Sequence, residues 1–186
     1  MRQRFPWKAL VAGGAALGVV GVIAATARAS PSSAPVRPSL GRVALIGDSY
    51  AVGLGPELEK LLPDFRHEGY VGTNTSQWAQ HSSACGQCGD WLTTFRPDVV
   101  LVSLGVNDGS APNPIYYQRI VRGLESIGAK VVWIEPPAAV STPSRAVIAS
   151  LGVPTIPATR SPLRSDGLHP LSYVPWAQEI AEALRA

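Results

Sequence analysis

Asp98-Val99-Val100-Leu101-Val102-Ser103-Leu104-Gly105-Val106-Asn107-Asp108 (DVVLVSLGVND) is the stretch that decides the fold. Its first part is apolar at nearly every position and stops at a glycine. A strand with one wet face alternates apolar and polar residues, so this one predicts a strand covered on both faces. Val43-Ala44-Leu45-Ile46, ending in Gly47, repeats the pattern, and Lys130-Val131-Val132-Trp133-Ile134 repeats it again. Residues 65–71 and 153–156 read as two further strands.

The intervening segments carry helical spacing. Leu54, Leu58, Leu61 and Leu62 form one such set. Tyr116, Ile120, Leu124 and Ile127 form another, with Asn113 as N-cap, Pro114 in the first turn and Gly128 at the end. Residues 144–150 read as a helix, and Ser172 as the cap of a last helix with Trp176, Ile180 and Leu184 inward. Buried strands separated by helices imply an α/β class: an open parallel sheet of about five strands with helices on both faces. In such sheets ligands bind beyond the carboxyl ends of the strands. The polar residues that follow each strand are therefore the ones to inspect.

Four groups stand there. They are Gly47-Asp48-Ser49, then Gly72-Thr73-Asn74-Thr75-Ser76, then Gly105-Val106-Asn107-Asp108, and finally Asp166-Gly167-Leu168-His169-Pro170. Acyl transfer needs a nucleophile, a base, a group that orients the base, and donors for the developing oxyanion. Ser49 stands where a strand turns into a helix, so its N–H faces a site that favours negative charge. His169 is the candidate base, since imidazole titrates near neutrality. Asp166, three residues earlier, can hold that imidazole in the required tautomer. The Ser49 and Gly72 N–H groups and the Asn107 amide are candidate oxyanion donors. Each residue also has an ordinary role open to it. Ser49 or Asp48 can cap a helix, Gly72 can serve a turn, Asn107-Asp108-Gly109 and Asp166-Gly167 are turn sequences, and His169 can be a surface residue. The order and strand-end placement of the four groups together favour the catalytic reading.

With those residues in place the chain resembles the SGNH hydrolases, also called GDSL-type esterases and lipases. Gly47-Asp48-Ser49-Tyr50 matches the first family block, with Tyr50 where the name-giving motif has Leu. The segment around Gly72 matches the glycine block, with Gly69 as an alternative. Gly105-Val106-Asn107-Asp108 matches the third block in full, and Asp166-Gly167-Leu168-His169 the fourth. The resemblance implies a flavodoxin-like three-layer α/β/α sandwich with strand order 2-1-3-4-5. It implies Ser49 as nucleophile, His169 as base, Asp166 as its orienter, and Ser49, Gly72 and Asn107 as the oxyanion hole. It implies no metal and no organic cofactor, and structural roles for Asp48 and Asp108.

Composition sets the context. Of the 186 residues, 46% are apolar and 16% charged, which suits one folded domain. The net charge of +3 comes from the N-terminus: four of the 16 basic residues (Arg2, Arg4, Lys8, Arg28) precede residue 30, leaving 12 against 13 acidic ones beyond it. The domain thus lacks the basic footprint of a nucleic-acid binder. A positive start, an uncharged stretch over residues 9–26 and Ala27-Arg28-Ala29 make residues 1–29 either a cleaved signal peptide or a membrane anchor. Residues 30–41 read as a Pro/Ser-rich linker and 42–186 as the catalytic domain, either secreted or periplasmic, or tethered to the membrane through residues 9–26. In an exported chain the pair Cys85 and Cys88 is a disulfide candidate. A redox pair, or a zinc site with His81, is the rival reading.

The substrate expectation is a short acyl ester, acetyl first, on a small molecule or a cell-wall or extracellular polysaccharide. Tyr50, Trp78 and Trp91 are candidates for stacking on sugar rings. Acyl transfer to another alcohol, lysophospholipid or thioester hydrolysis on the same site, and an inactive glycan-binding module are the alternatives.

Overall fold

The continuous apolar runs become the central strands of one parallel sheet. The computed structural model describes residues 40–80, 91–159 and 161–186. The proposed export segment, most of the linker, and Cys85, Cys88 and His81 lie outside the described residues. Strand β1 is Val43–Gly47, followed by helix α1 (Ser49–Glu59), β2 (Phe65–Gly69), α2 (Thr75–Gln80) and α3 (Trp91–Phe95). Then come β3 (Val99–Ser103), α4 (Pro114–Ser126), β4 (Lys130–Ile134), α5 (Ala138–Ser150), β5 (Thr155–Ile156) and α6 (Val174–Arg185). The sheet order is β2-β1-β3-β4-β5, with every pairing parallel. This is the α/β fold that the strand and helix pattern predicts, in the order 2-1-3-4-5 that the resemblance implies.

Two apolar layers hold the sheet between its helices. On one face Ala44, Ile46, Val100, Val102, Val131 and Trp133 pack with Trp78, Leu92, Tyr117, Ile120, Leu124 and Ile148. On the other Val43, Leu45, Leu101, Val132 and Ile134 pack with Leu54, Leu58, Trp176 and Ile180. Successive side chains of each strand thus enter opposite layers, and both layers are dry, which is why no polar alternation appears in these runs. Trp133 also donates its indole N–H to the Leu104 carbonyl (3.1 Å), which ties β4 to the end of β3.

Helix faces and limits differ from the sequence reading in detail. In α4 the buried residues are Tyr117, Ile120, Val121 and Leu124, while Tyr116 and Ile127 are only partly covered. The stripe lies one position further round because Tyr117 must reach both Trp133, stacked at 5.3 Å, and Asp108. Asn113 does cap α4, accepting from the Ile115 N–H at 3.0 Å. Helix α5 starts earlier than expected, at Ala138, and passes through a non-helical Ser141. Helix α6 starts at Val174 with Tyr173, not Ser172, at its N-cap position, although the Ser172 hydroxyl accepts from the Val174 N–H at 3.3 Å. Among the described residues no helix is long and apolar enough to cross a membrane.

One close approach sets the sheet's upper rim. A Cβ on Gly47 would stand 2.1 Å from the Ser103 carbonyl oxygen of β3. The Asp48 N–H donates to that same oxygen at 3.0 Å, so the chain leaves β1 in contact with β3 and turns directly into α1. Gly47→Ala should therefore lower the unfolding free energy by ~1–3 kcal/mol, the range for overpacking a tight site. Urea unfolding followed by tryptophan fluorescence reads this, and an unchanged midpoint would contradict it.

Candidate active site

Asp48, at the turn out of β1, is the N-cap of α1. Its Oδ1 accepts from the Tyr50 N–H at 2.9 Å, so the cap is Asp48 and the Ser49 hydroxyl is left free for other partners. Ser49 is the first residue of α1, and its N–H has no acceptor among the described residues. That orphan donor is the usual consequence of a helix start.

The C-terminal loop folds on itself through its own polar groups. Leu163 and Pro170 form an antiparallel bridge, and the Arg164 N–H donates to the His169 carbonyl at 2.7 Å. Inside this loop Asp166 Oδ1 accepts from the Leu168 and His169 N–H groups at 2.8 and 2.9 Å. The other oxygen, Oδ2, lies 2.9 Å from His169 Nδ1. One carboxylate therefore closes the turn with one oxygen and orients the imidazole with the other. His169 Nε2 lies 2.9 Å from Ser49 Oγ. With Nδ1–H donating to Asp166, Nε2 is left to accept the serine proton. The hydrogen bond from His169, followed by those from the two N–H groups, pulls the Asp166 carboxyl down to about 2. It is ionised throughout the neutral range.

Tyr50 fixes the loop to α1. Its hydroxyl donates to the Leu168 carbonyl at 2.8 Å, and its ring meets the His169 and Trp176 rings edge-on at 5.7 and 5.4 Å. The residue that departs from the name-giving motif thus acts as a strut between the serine and histidine segments. It is 2% exposed and Trp78 is fully buried, so neither is placed to stack on a sugar as the sequence reading had allowed.

The expected oxyanion donors sit on two tied loops. Asn107 donates one amide proton to the Thr73 carbonyl at 3.0 Å, and its second proton remains available. Asp108 accepts from the Thr75 N–H and hydroxyl, both at 2.8 Å, and from the Tyr117 hydroxyl. The Ser141 and Ser144 hydroxyls both donate to the Gly105 carbonyl at 2.7 Å, clamping the start of the Asn107 loop. Gly72 is exposed at φ +76°, with no heavy atom within 4 Å of where its Cβ would stand. Its neighbour Tyr70 donates its N–H to the Gly47 carbonyl at 3.0 Å, which brings this loop beside the Ser49 turn. Val52, Tyr70, Val71, Leu171 and Val174 are exposed apolar side chains on the segments that carry Ser49, Gly72 and His169.

Sequence reasoning did not reach several of the supporting residues. Thr73 was in view as part of the glycine block, but nothing in the chain says its carbonyl receives the Asn107 amide. Ser141 and Ser144 carry no local signal, since their partner is more than 30 residues away. Among the described residues no group of three or more His, Cys, Asp or Glu is arranged to hold a metal ion.

Asp48 is unusual electrostatically. Its Oδ2 is buried with no hydrogen-bond partner. Burial pushes its carboxyl up to about 8, opposed by the Tyr50 N–H and reinforced by the Asp108 carboxylate. The group is therefore mainly a neutral acid at pH 7.

Comparison with solved structures gives a likeness that bears on the fold. The C-terminal catalytic domain of Streptococcus pneumoniae peptidoglycan O-acetyltransferase A, solved with a methylsulfonyl adduct, superposes with a TM-score of 0.53 at 18% identity, covering 77% of this chain and 90% of that one. At that identity the likeness is one of fold. No protein-family model matches the chain, and no curated protein sequence does.

The Asp48 environment carries a stability prediction. A carboxyl raised from the usual 3.8 to about 8 on folding makes the native state bind more protons than the unfolded chain between those values. Its stabilising contribution is complete below pH 3.8 and is lost as pH rises through about 8. Asp48→Asn should flatten the fall in melting temperature across that window. An unchanged slope in thermal scans from pH 4 to about 8 would show that Asp48 is ionised in the native state.

Proposed function

We propose that this chain is an exported serine esterase of the SGNH type that acts on short acyl esters, acetyl foremost, carried by a cell-wall or extracellular polysaccharide. The observation that carries the proposal is the relay from Ser49 Oγ through His169 to Asp166, with both contacts at 2.9 Å. In this reading Ser49 Oγ attacks the acyl carbon while His169 Nε2 takes its proton. Asp166 remains ionised and stabilises the imidazolium that forms. The Ser49 and Gly72 N–H groups and the second Asn107 proton receive the oxyanion. The bond from the acyl carbon to the alcohol oxygen breaks, and His169 returns the proton to the leaving alcohol. Water then repeats the attack on the acyl-enzyme, giving its proton to His169 and restoring Ser49 as the acid departs.

The small size of the domain proposed for residues 42–186, which leaves little room for a lid or a deep acyl tunnel, supports a short acyl group on a bulky alcohol. Export, and with it the choice between a cleaved signal and a retained anchor, rests on the N-terminal sequence pattern. The domain boundary proposed at residue 42 fits a sheet that opens at Val43. The second reading is transfer of the acyl group to a glycan hydroxyl. The fold shared with a peptidoglycan O-acetyltransferase domain favours keeping it. The two readings differ only in the nucleophile that resolves the acyl-enzyme.

Hydrolysis of p-nitrophenyl acetate tests the site. Wild type should release p-nitrophenol and Ser49→Ala should not. Asn107→Ala should lose ~10²–10³ in kcat, the scale for one oxyanion donor. A fully active Ser49→Ala would refute the nucleophile, and an unchanged Asn107→Ala would remove that amide from the oxyanion hole. Adding an oligosaccharide acceptor separates the readings: an acetylated product indicates transfer, and free acetate alone indicates hydrolysis.

A further inference from the structure

Tyr50 and Trp78 are buried, which leaves Trp91 as the partly exposed member of the aromatic trio. It lines an open cleft of about 370 Å³ on the outer side of β2, together with Glu59, Phe65, Arg66, His67 and Glu68. That volume lies within the range of roughly 300–1,000 Å³ for small-molecule sites. Strand β2 is one edge of the sheet and, among the described residues, pairs only with β1.

The cleft is preorganised. Glu68 Oε1 accepts from the Tyr70 hydroxyl and its Oε2 from the Trp91 indole N–H. The carboxylate is thereby held in one orientation, with lone pairs left on both oxygens. The Arg66 guanidinium lies over the Phe95 ring, 5.1 Å from its centroid. On the opposite face His67 stacks with Phe65 at 5.9 Å. A Cβ on Gly55 would stand 2.2 Å from His67 Nδ1, so α1 is cut back to admit the imidazole.

The chemistry of the lining selects the ligand. Two carboxylates against one guanidinium disfavour an anion, and charged side chains along an edge strand disfavour an added peptide strand. Ring faces beside fixed hydrogen-bonding groups suit a neutral ligand that has C–H faces and many hydroxyls. Position adds the second argument. The cleft runs along β2 from Phe65, which pairs with Val43, up to Glu68, which pairs with Ile46 just below the turn into Ser49. The chain then runs directly through Tyr70 and Val71 to Gly72.

We propose that this β2-edge cleft binds a neutral sugar unit of a polysaccharide whose ester-bearing unit lies at Ser49. The proposal names the substrate class of that site and rests on the acyl-transfer reading of Ser49. It makes the cleft an anchoring subsite that a small ester does not use.

The test uses the full chain with Trp91→Ala, and with Arg66→Ala as a second variant at an exposed position. Acetate release from partially O-acetylated xylo- and chito-oligosaccharides should fall about tenfold or more in kcat/KM for both variants, chiefly through KM. Hydrolysis of p-nitrophenyl acetate should stay within about twofold of wild type. Equal losses on both substrates, or no loss on the oligosaccharides, would overturn the subsite. If wild type cleaves neither ester, the Ser49 reading fails, and the cleft is judged by calorimetric binding of the unacetylated oligosaccharides. Binding by wild type that Trp91→Ala abolishes would support the cleft, and no binding by wild type would overturn it.

Discussion

At the top of β1 there is no room for a side chain. Gly47 faces the Ser103 carbonyl so closely that a Cβ would collide with it, and the Asp48 N–H uses that same oxygen. The two central strands can therefore stay in ladder contact up to the point where the chain turns into α1. Everything at the rim inherits its position from this turn. Asp48 caps the helix, Ser49 begins it with its hydroxyl turned to His169 Nε2, and Tyr50 reaches across to the Leu168 carbonyl. Tyr70 hangs the next loop on the Gly47 carbonyl.

The rim is assembled by hydrogen bonds between loops rather than by packing within them. Asn107 holds Thr73, Asp108 holds Thr75, and Ser141 with Ser144 holds Gly105. Each joins a segment that follows one strand to a segment that follows another. Such a network is rigid only when its members are satisfied, because unpaired polar groups at a partly buried rim are costly. Two unpaired groups beside Ser49 are instructive. The buried Asp48 Oδ2 is tolerated by carrying its carboxyl as a neutral acid. The Ser49 N–H, at a helix start, has no acceptor among the described residues, as the first donors of a helix ordinarily do not.

The electrostatic contrast between Asp48 and Asp166 follows from burial and partners. Asp166 lies at the surface among three donors and stays ionised, while Asp48 lies in the interior with one. The two carboxyls thus differ in charge state, one neutral beside Ser49 and one ionised beside His169, where its charge can stabilise an imidazolium.

Much of this was legible in the chain itself. Strand runs without polar alternation specify a sheet buried on both faces, because only that environment leaves no position for a polar residue. The residues after the strands then fall at the carboxyl rim, which is why Ser49, Gly72, Asn107, Asp166 and His169 could be named from their positions. The Asp166–His169 contact was also local, since three residues of one turn suffice to make it. The tertiary structure decided the rest. Whether an aromatic residue lies in the core or in a cleft depends on what packs against it, so Tyr50 and Trp78 went inward while Trp91 remained partly exposed. The α4 stripe shifted to Tyr117 because its partners, Trp133 and Asp108, lie on other elements. The clamps from Ser141, Ser144 and Thr73 join residues dozens of positions apart, and no local pattern records such a pairing. Local periodicity fixes which faces must be dry, whereas contacts between distant loops exist only once the sheet has brought their ends together.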